Sequence, residues 1–349
     1  MNEQRQHTEP APPPAGTGPP PGAGGPDRMT GQRPGQPPGP AARGRLRTVT
    51  GCLLAIAIAV ALYWTVRDQD WSSARPLVTG EAVPFLLASC ALNVLALVCA
   101  MLSWRGILAD LGHRLPVGTA ARVYFIGMSA KYLPGPFWVV LTQARLAGRA
   151  GVSGLTTVAV FLLNIPVILL TGLVVGALAG PGVFGSWGWL LSAPAALLVW
   201  VLARPAVVGR AAVAAARLLR RELTSAGSGT DIRAAIGWQL ACRLVSGLHL
   251  WALALALGAP AGESLTVTVG AFALTTVVST LIIVLPDGAF VRELLLIGAL
   301  SQVLPVAAAG AVAIASRAVC LLTELLITAV MMLASARPAA KRLKERARE

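Results

Sequence analysis

The most constraining feature of this chain is a series of apolar stretches that fills most of its 349 residues. From residue 49 onward, runs of roughly 16–26 mainly apolar residues alternate with short loops that hold most of the arginines. About 20 apolar residues in a helix match the ~30 Å hydrocarbon core of a bilayer. Because no water reaches that core, peptide groups there must bond within their own segment. The sequence therefore predicts an all-α, polytopic membrane bundle.

Eight membrane spans are predicted from these stretches. They cover residues 49–66, 84–104, 155–180, 187–203, 235–257, 266–285, 289–304 and 307–335. Basic and non-basic loops alternate between them, and by the positive-inside rule this places both termini in the cytoplasm. We therefore expect a multi-pass protein of the cell membrane.

The formal charge of +14 does not indicate a nucleic-acid partner, because the basic residues are scattered and form no basic face interleaved with aromatics. Residues 1–46 are predicted to be a disordered, Pro- and Gly-rich cytoplasmic arm. Residues 47–336 form the predicted transmembrane domain, and residues 337–349 a basic cytoplasmic tail. The cysteines lie in apolar segments without a C-x-x-C pair, and the histidines are scattered, so we predict no metal and no cofactor.

One segment, residues 118–148, fits the span count only if it enters and leaves the membrane on the same side. Arg122 lies near its start, Arg145 lies near its end, and a Pro-Gly-Pro sequence interrupts its middle. Proline cannot continue a regular helix. We predict a re-entrant pair of half-helices, which is tolerated where protein or water covers the broken backbone. A single kinked span, which changes the parity of the topology, is the alternative.

The first group of candidate site residues surrounds this interruption. Lys131 is the only lysine outside the C-terminal tail, and it lies among apolar residues. An ionised group at that depth costs roughly 2.5–3.5 kcal/mol on insertion scales, so it needs a polar cavity or a partner. A helix that restarts after the interruption directs its free N–H groups back toward it. The predicted substrate-binding residues here are Lys131, Tyr132, Pro134, Gly135 and Trp138.

A second Pro-Gly interruption occurs in the other half of the membrane region, between residues 285 and 293. Paired interruptions in two halves point to a transporter binding site near the bilayer midplane. We therefore expect both interruptions to face one polar chamber. An internal ion network, with Arg243 as a further possible member, is predicted there, either as structural pairs or as substrate contacts. The predicted substrate-binding residues of this half are Pro286, Gly288, Arg292, Glu293, Arg317 and Glu324.

These motifs resemble those of the lysylphosphatidylglycerol synthase transmembrane-region family. Ser129-Ala-Lys-Tyr-Leu-Pro-Gly-x-x-Trp138, followed by Arg145-Leu-Ala-x-Arg-Ala-Gly-Val-Ser153, is similar to its first motif. Pro286-x-Gly288-x-x-Val-Arg-Glu293 resembles its second motif, in a less glycine-rich form. Ala315-Ser-Arg317 with Glu324 resembles its late Tyr-Arg…Glu helix. The resemblance covers about residues 50–335.

The resemblance implies a flippase-like module for a lipid or lipid-linked anionic headgroup. In fused members the module is similar to one that moves aminoacylated phosphatidylglycerol between leaflets, while a separate cytosolic domain makes that lipid. The 13 residues from 337 to 349 are too few for such a domain, so we expect no enzyme activity. Lys131 and Arg292 are expected to attract a phosphate. Glu293 and Glu324 are expected to hold the cations in place or to bind a cationic headgroup.

Two other function classes stay open from the sequence. Asp68-Gln69-Asp70 in a predicted external loop is a D-x-D pair, which can hold a metal on a sugar phosphate. A membrane glycosyltransferase that uses a lipid-linked sugar is therefore one alternative. A non-catalytic assembly or regulatory partner, in which the N-terminal arm does the binding, is the other. No oligomeric state is predicted.

Overall fold

The chain is all-α in the part that the computed structural model describes, which is residues 79–132, 137–177, 230–281, 291–346 and a few single residues elsewhere. Side chains are described through residue 334. The described segments contain no strand, which confirms the predicted fold class. Their helices are α1 (Val83–Asp110), α2 (Val117–Met128), α3 (Phe137–Gly148), α4 (Gly154–Ala177), α5 (Thr230–Ala256), α6 (Ala261–Leu281), α7 (Val291–Leu300) and α8 (Val306–Arg346).

Five of the helices in the described segments are long and apolar enough to cross a bilayer. They are α1 with the turn before it, α4, α5, α6 and the part of α8 up to Ala334. They agree with five of the predicted spans. The predicted span 49–66 and almost all of 187–203 lie outside the described residues.

The predicted span over residues 289–304 is described only from residue 291 onward, so the span itself stays a prediction. The described helix, α7, has 10 residues, which is about 15 Å or half of the hydrocarbon core. After Leu300 the run turns, and the backbone N–H of Leu304 donates to the carbonyl of Leu300 at 2.9 Å. Hydropathy measures polarity and not conformation, so it counts such turn residues as part of a span.

Helices α2 and α3 form a hairpin that turns back on itself. Each has 12 residues, and they lie on either side of a 3-10 turn, Ser129–Tyr132. A Cβ atom added at Gly127 of α2 would be 2.2 Å from Cγ of Gln143 in α3. In one continuous helix, residues this far apart would be separated by about 24 Å along the axis. The chain therefore reverses, as in the re-entrant geometry predicted for 118–148 and not in the kinked span.

Helix α5 is the centre of the described bundle. It packs along α1 over most of its length and also contacts α4, α6 and α8. Its approach to α6 is close, because a Cβ atom added at Gly247 would lie 2.3 Å from the Cα atom of Val269. Only a residue without a side chain lets two helix backbones come this near. In this packing α5 contacts α8 directly, whereas α6 contacts α7, which packs against α8.

Candidate functional site

The polar side chains of the predicted site meet along one face of α8. Arg317, Cys320 and Glu324 follow one another at spacings of three and four residues, so they lie on the same face about one turn apart. The hairpin tip and the start of α7, which adjoin the two interruptions, both reach this face. The residues that contact it are Lys131, Tyr132, Arg292 and Glu293.

Lys131 and Tyr132, at the tip of the hairpin, both bind the carboxylate of Glu324. Lys131 Nζ lies 2.8 Å from Glu324 Oε1, and the Tyr132 hydroxyl donates to Oε2 at 2.5 Å. The Lys131 and Glu324 side chains are only 17% and 20% exposed. Charge-assisted hydrogen bonds of this kind are about twice as strong as neutral ones. An anion that binds Lys131 must therefore compete with Glu324.

Arg292 and Glu293, at the start of α7, contact α8 one turn or more away from Glu324. Arg292 Nη2 donates to the Cys320 thiol at 3.5 Å, and its guanidinium carbon lies 4.6 Å from the centre of the Phe272 ring. Arg317 Nη1 donates to the carboxylate of Glu293. The predicted ion network thus forms two pairs, Lys131 with Glu324 and Arg317 with Glu293.

The described residues of this region line two cavities. One, of about 30 Å³, is lined by Tyr124, Tyr132 and Glu324 together with apolar residues. The other, of about 160 Å³, lies beside Arg292. No residue of the described segments lines both cavities. Residues 133–136 and 282–290, which contain both interruptions, lie outside the described residues, so the single chamber stays a prediction. Cys320 lies within electrostatic reach of both Lys131 and Arg292.

Arg243 on α5, a possible member of the predicted ion network but not one of the predicted substrate-binding residues, lies in the same interior. Its side chain is 6% exposed, and its Nε has no hydrogen-bond partner among the described residues. It lies within electrostatic reach of Tyr124, as do Lys131 and Glu324. The signal in the sequence was an arginine in the middle of an apolar span, which is expensive in a membrane and marks a functional position by default.

Neutral hydrogen bonds join the helices around these charges. The Asn93 side-chain amide of α1 donates to Thr323 Oγ1 of α8 at 2.6 Å. His249 Nε2 of α5 lies 2.9 Å from Ser316 Oγ of α8. Both contacts are fully buried and satisfy polar groups that would otherwise be costly in the interior. They are structural links that fix α1, α5 and α8 relative to one another.

The other predicted site residues are only partly accounted for. Trp138 lies in the first turn of α3 and is half-buried. Pro134, Gly135, Pro286 and Gly288 lie outside the described residues, as do the aspartates of the D-x-D sequence. Within the described segments, no group of three or more His, Cys, Asp and Glu residues is arranged to hold a metal ion.

The comparison with protein families covers this entire site. A model described as the lysylphosphatidylglycerol synthase TM region matches residues 49–328, which include both interruptions and the polar face of α8. No curated protein matches the chain. The match extends over most of the sequence and includes all of the membrane-crossing helices described above except the last residues of α8. The chain therefore belongs to the lysylphosphatidylglycerol synthase transmembrane-region family, a family of multi-pass membrane proteins with a lipid-related function.

Proposed function

We propose that this protein is a flippase-like membrane protein that binds or translocates a lipid, or a lipid-linked molecule, through its anionic headgroup. It acts in the cell membrane, with both termini in the cytoplasm, and does not synthesise lipid. The proposal is supported chiefly by Arg243, a buried guanidinium of α5, in an interior where Glu293 and Glu324 each already have a cationic partner.

An anionic headgroup compensates the charge of Arg243. Lys131 and Arg317 each pair with a glutamate, whereas the described ion pairs do not include Arg243. A guanidinium at this depth costs roughly 2.5–3.5 kcal/mol on insertion scales. A phosphate that enters from the lipid phase recovers part of this cost, because it supplies the missing negative charge. The site therefore favours anionic over neutral lipids.

The spacing of the cations along α8 suggests how a headgroup moves. Lys131 contacts α8 at Glu324 and Arg292 contacts it at Cys320, four residues earlier, a rise of about 6 Å. A phosphate held first by one cation therefore reaches the other in a short step, while the acyl chains stay in the surrounding bilayer. In this mechanism the phosphate replaces Glu324 as the partner of Lys131, so Glu324 limits how tightly the headgroup is held.

Lipid movement in liposomes tests the proposal. The full chain is reconstituted with fluorescent phosphatidylglycerol, and the label that reaches the outer leaflet is quenched with dithionite. We expect Lys131→Ala to lower the rate roughly tenfold or more, because a hydrogen bond to a charged group is worth about 1.5–3 kcal/mol.

Arg114→Ala is the matched control for charge removal. Arg114 pairs with Asp231 at 3.0 Å, but its side chain is 75% exposed and it lines neither cavity, so its loss should leave the rate unchanged. Equal rates for wild type and Lys131→Ala contradict the proposed role of Lys131. If mass spectrometry of the purified protein finds only neutral co-purified lipid, the preference for anionic headgroups is wrong.

A further inference from the structure

We propose that the cavity beside Arg292 is a phosphate subsite, and that hydroxyl groups of α6 determine its specificity. Its described lining is Thr276, Ser279, Thr280 and Arg292. The inference deepens the proposed function and rests on it, because it names the part of the headgroup that this cavity binds. None of the three hydroxyl residues is part of the motifs that identify the family.

The three hydroxyls lie on one face of α6. Their spacing of three and four residues places them on adjacent turns, all directed to the same side of the helix. Thr276 Oγ1 donates to the carbonyl of Phe272 at 2.8 Å, and Thr280 Oγ1 donates to the carbonyl of Thr276 at 2.7 Å. Each bond uses the hydroxyl proton and leaves lone pairs directed outward. Rotation of the hydroxyl turns the same group into a donor for a bound anion.

Ser279 is the hydroxyl that most clearly requires a ligand. Its Oγ is buried and has no hydrogen-bond partner among the described residues, although it belongs to a residue that lines the cavity. Serine in a membrane helix normally bonds to a carbonyl of its own helix or to a neighbouring helix. An unsatisfied buried hydroxyl is costly, so its position indicates that a polar group is present in the cavity during function.

The guanidinium of Arg292 gives this cavity its charge. The Cys320 thiol and the Phe272 ring contact it from the neighbouring helices and fix its position at the cavity wall. A guanidinium presents five N–H donors in a planar fork that matches two oxygens of a phosphate. One donor reaches Cys320, and Arg292 lines the cavity.

A phosphate group suits the cavity by size and by chemistry. The volume of about 160 Å³ is well above the roughly 10–15 Å³ that one water molecule needs. Phosphate oxygens point in tetrahedral directions, so one or two can accept from the guanidinium while others accept from hydroxyls on the facing helix. A carboxylate is planar with two oxygens and cannot reach both sides as well. The ligand class is therefore a phosphate ester of a lipid or free phosphate.

Native mass spectrometry of the full chain in lipid-free detergent tests the subsite. The probes are dioleoylphosphatidic acid and dioleoylglycerol, which share acyl chains and differ in the phosphate. We expect the first to bind and the second to bind far more weakly. Ser279→Ala and Thr280→Val should each weaken phosphatidic acid binding roughly tenfold, since each removes a hydrogen bond to a charged ligand.

Thr275→Val is the matched control. Thr275 is the neighbour of Thr276, it is buried, and its hydroxyl donates to the carbonyl of Ala271 at 2.6 Å, but it does not line the cavity. The Thr275→Val substitution should leave the affinity for phosphatidic acid unchanged. A circular dichroism melt of each variant confirms that the fold is intact.

Inorganic phosphate distinguishes the two sources of the ligand. If it displaces phosphatidic acid at similar concentrations, the subsite binds free phosphate as well, and if it does not, the subsite requires the lipid. Wild-type affinity in a Ser279→Ala/Thr280→Val double variant overturns the subsite. When that result is combined with slow lipid movement in Lys131→Ala, the proposed function stands and the subsite alone fails. When lipid movement in Lys131→Ala is also as fast as in wild type, both the subsite and the proposed function fail.

Discussion

At the scale of single residues, the interior of this bundle contains charges that a purely structural role does not explain. Arg243 is 6% exposed, and its Nε has no acceptor among the described residues. The effective cost of such an ion is several kcal/mol, and packed apolar residues at buried ionic positions are often more stabilising. A residue with this cost persists where activity requires it, at the expense of stability.

Arg243→Met should therefore make the lipid-free protein more stable and less able to bind lipid. Methionine keeps the length of the side chain and adapts its shape to the packing around it. We expect a gain of about 1–3 kcal/mol in the free energy of unfolding, because an uncompensated charge is removed. Phosphatidylglycerol should then stabilise the variant less than it stabilises wild type. Thermal unfolding in detergent, with and without the lipid, measures both effects.

Arg105→Met is the comparison for this prediction. Arg105 Nε donates to the carbonyl of Leu115 at 2.8 Å, so this arginine has the acceptor that Arg243 lacks. Its replacement should lower the melting temperature. If Arg243→Met is destabilising to the same degree, the guanidinium has a structural role and the argument from its burial is wrong.

Glu324→Gln should strengthen the binding of anionic lipid. Glutamine is nearly isosteric and can still accept the Tyr132 hydrogen bond, but it no longer neutralises Lys131. A phosphate then binds Lys131 without displacing a carboxylate, so we expect affinity for phosphatidylglycerol to rise roughly tenfold. Lipid titration into nanodiscs that hold the protein measures this affinity. The control is Glu263→Gln, which changes an exposed glutamate at the start of α6. Unchanged or weaker binding means that Glu324 helps the headgroup to bind.

The candidate residues could be predicted from the sequence more readily than their partners. Lys131, Arg292 and Glu324 stand out because each is an ionisable residue near an apolar run or within one. The pair of Lys131 with Glu324 could not be predicted, because 193 residues separate the two and only the packing of the hairpin against α8 brings them together. Ser279 gave no signal, because a hydroxyl in a membrane helix usually bonds to its own backbone.

At the scale of helices, glycine decides how closely the central elements approach. Gly247 on α5 faces the backbone of α6 at Val269, and an added Cβ would be 2.3 Å from that Cα atom. Flexible side chains can move away from such a contact, but two packed helix backbones must separate. The position of α6, and with it the hydroxyl face that lines the Arg292 cavity, therefore depends on this one residue.

Gly247→Ala should destabilise the protein by about 1–3 kcal/mol, the usual range for overpacking in a filled interior. Gly237 is on the same helix but is exposed, with nothing within 4 Å of an added Cβ. Gly237→Ala should be neutral or stabilising by up to about 1 kcal/mol, because alanine is the better helix former. Chemical denaturation in mixed micelles compares the two. If both have the same effect, α5 and α6 are not in contact at Gly247.

Helix lengths show where sequence patterns fail at this scale. The long spans α1, α4, α5 and α6 were predicted within a few residues because each is a single apolar helix. The run 289–304 was equally apolar, yet its described helix ends at Leu300, because residues 301–304 turn before Pro305. A hydropathy scale cannot predict this turn, because it measures the polarity of residues and not their conformation. The start of this described helix matters, since it brings Arg292 against Cys320 of α8 and Phe272 of α6.

At the scale of the whole molecule, the described contacts bring the basic segments to one end of the bundle. Arg114, between α1 and α2, pairs with Asp231 at the start of α5. Arg122, near the start of α2, donates to the carbonyl of Ala334 on α8 at 3.5 Å. The start of the hairpin, the start of α5 and this part of α8 therefore lie together. By the positive-inside rule, we expect this end to face the cytoplasm.

Cysteine labelling tests both the hairpin and the orientation. Gly118, Gly148 and Gly262 are exposed, and an added Cβ meets nothing within 4 Å at any of them. Each is replaced by cysteine in a cysteine-free background, and cells are treated with a membrane-impermeant maleimide. Because α3 returns toward the end from which α2 enters, we expect Gly118→Cys and Gly148→Cys to react only after permeabilisation. Gly262→Cys, at the other end of α5 and α6, should react in intact cells.

The pattern of labelling separates the prediction of a re-entrant hairpin from the prediction that the basic end faces the cytoplasm. If Gly118→Cys and Gly148→Cys react from opposite sides, α2 and α3 cross the membrane as one kinked span, and Lys131 is not at the tip of a re-entrant hairpin. If both react in intact cells while Gly262→Cys is protected, the hairpin is correct but the bundle is inverted. In that case the basic end faces outward, and Lys131 is the cation nearer to the outer leaflet, so lipid would meet it before Arg292 when it moves inward.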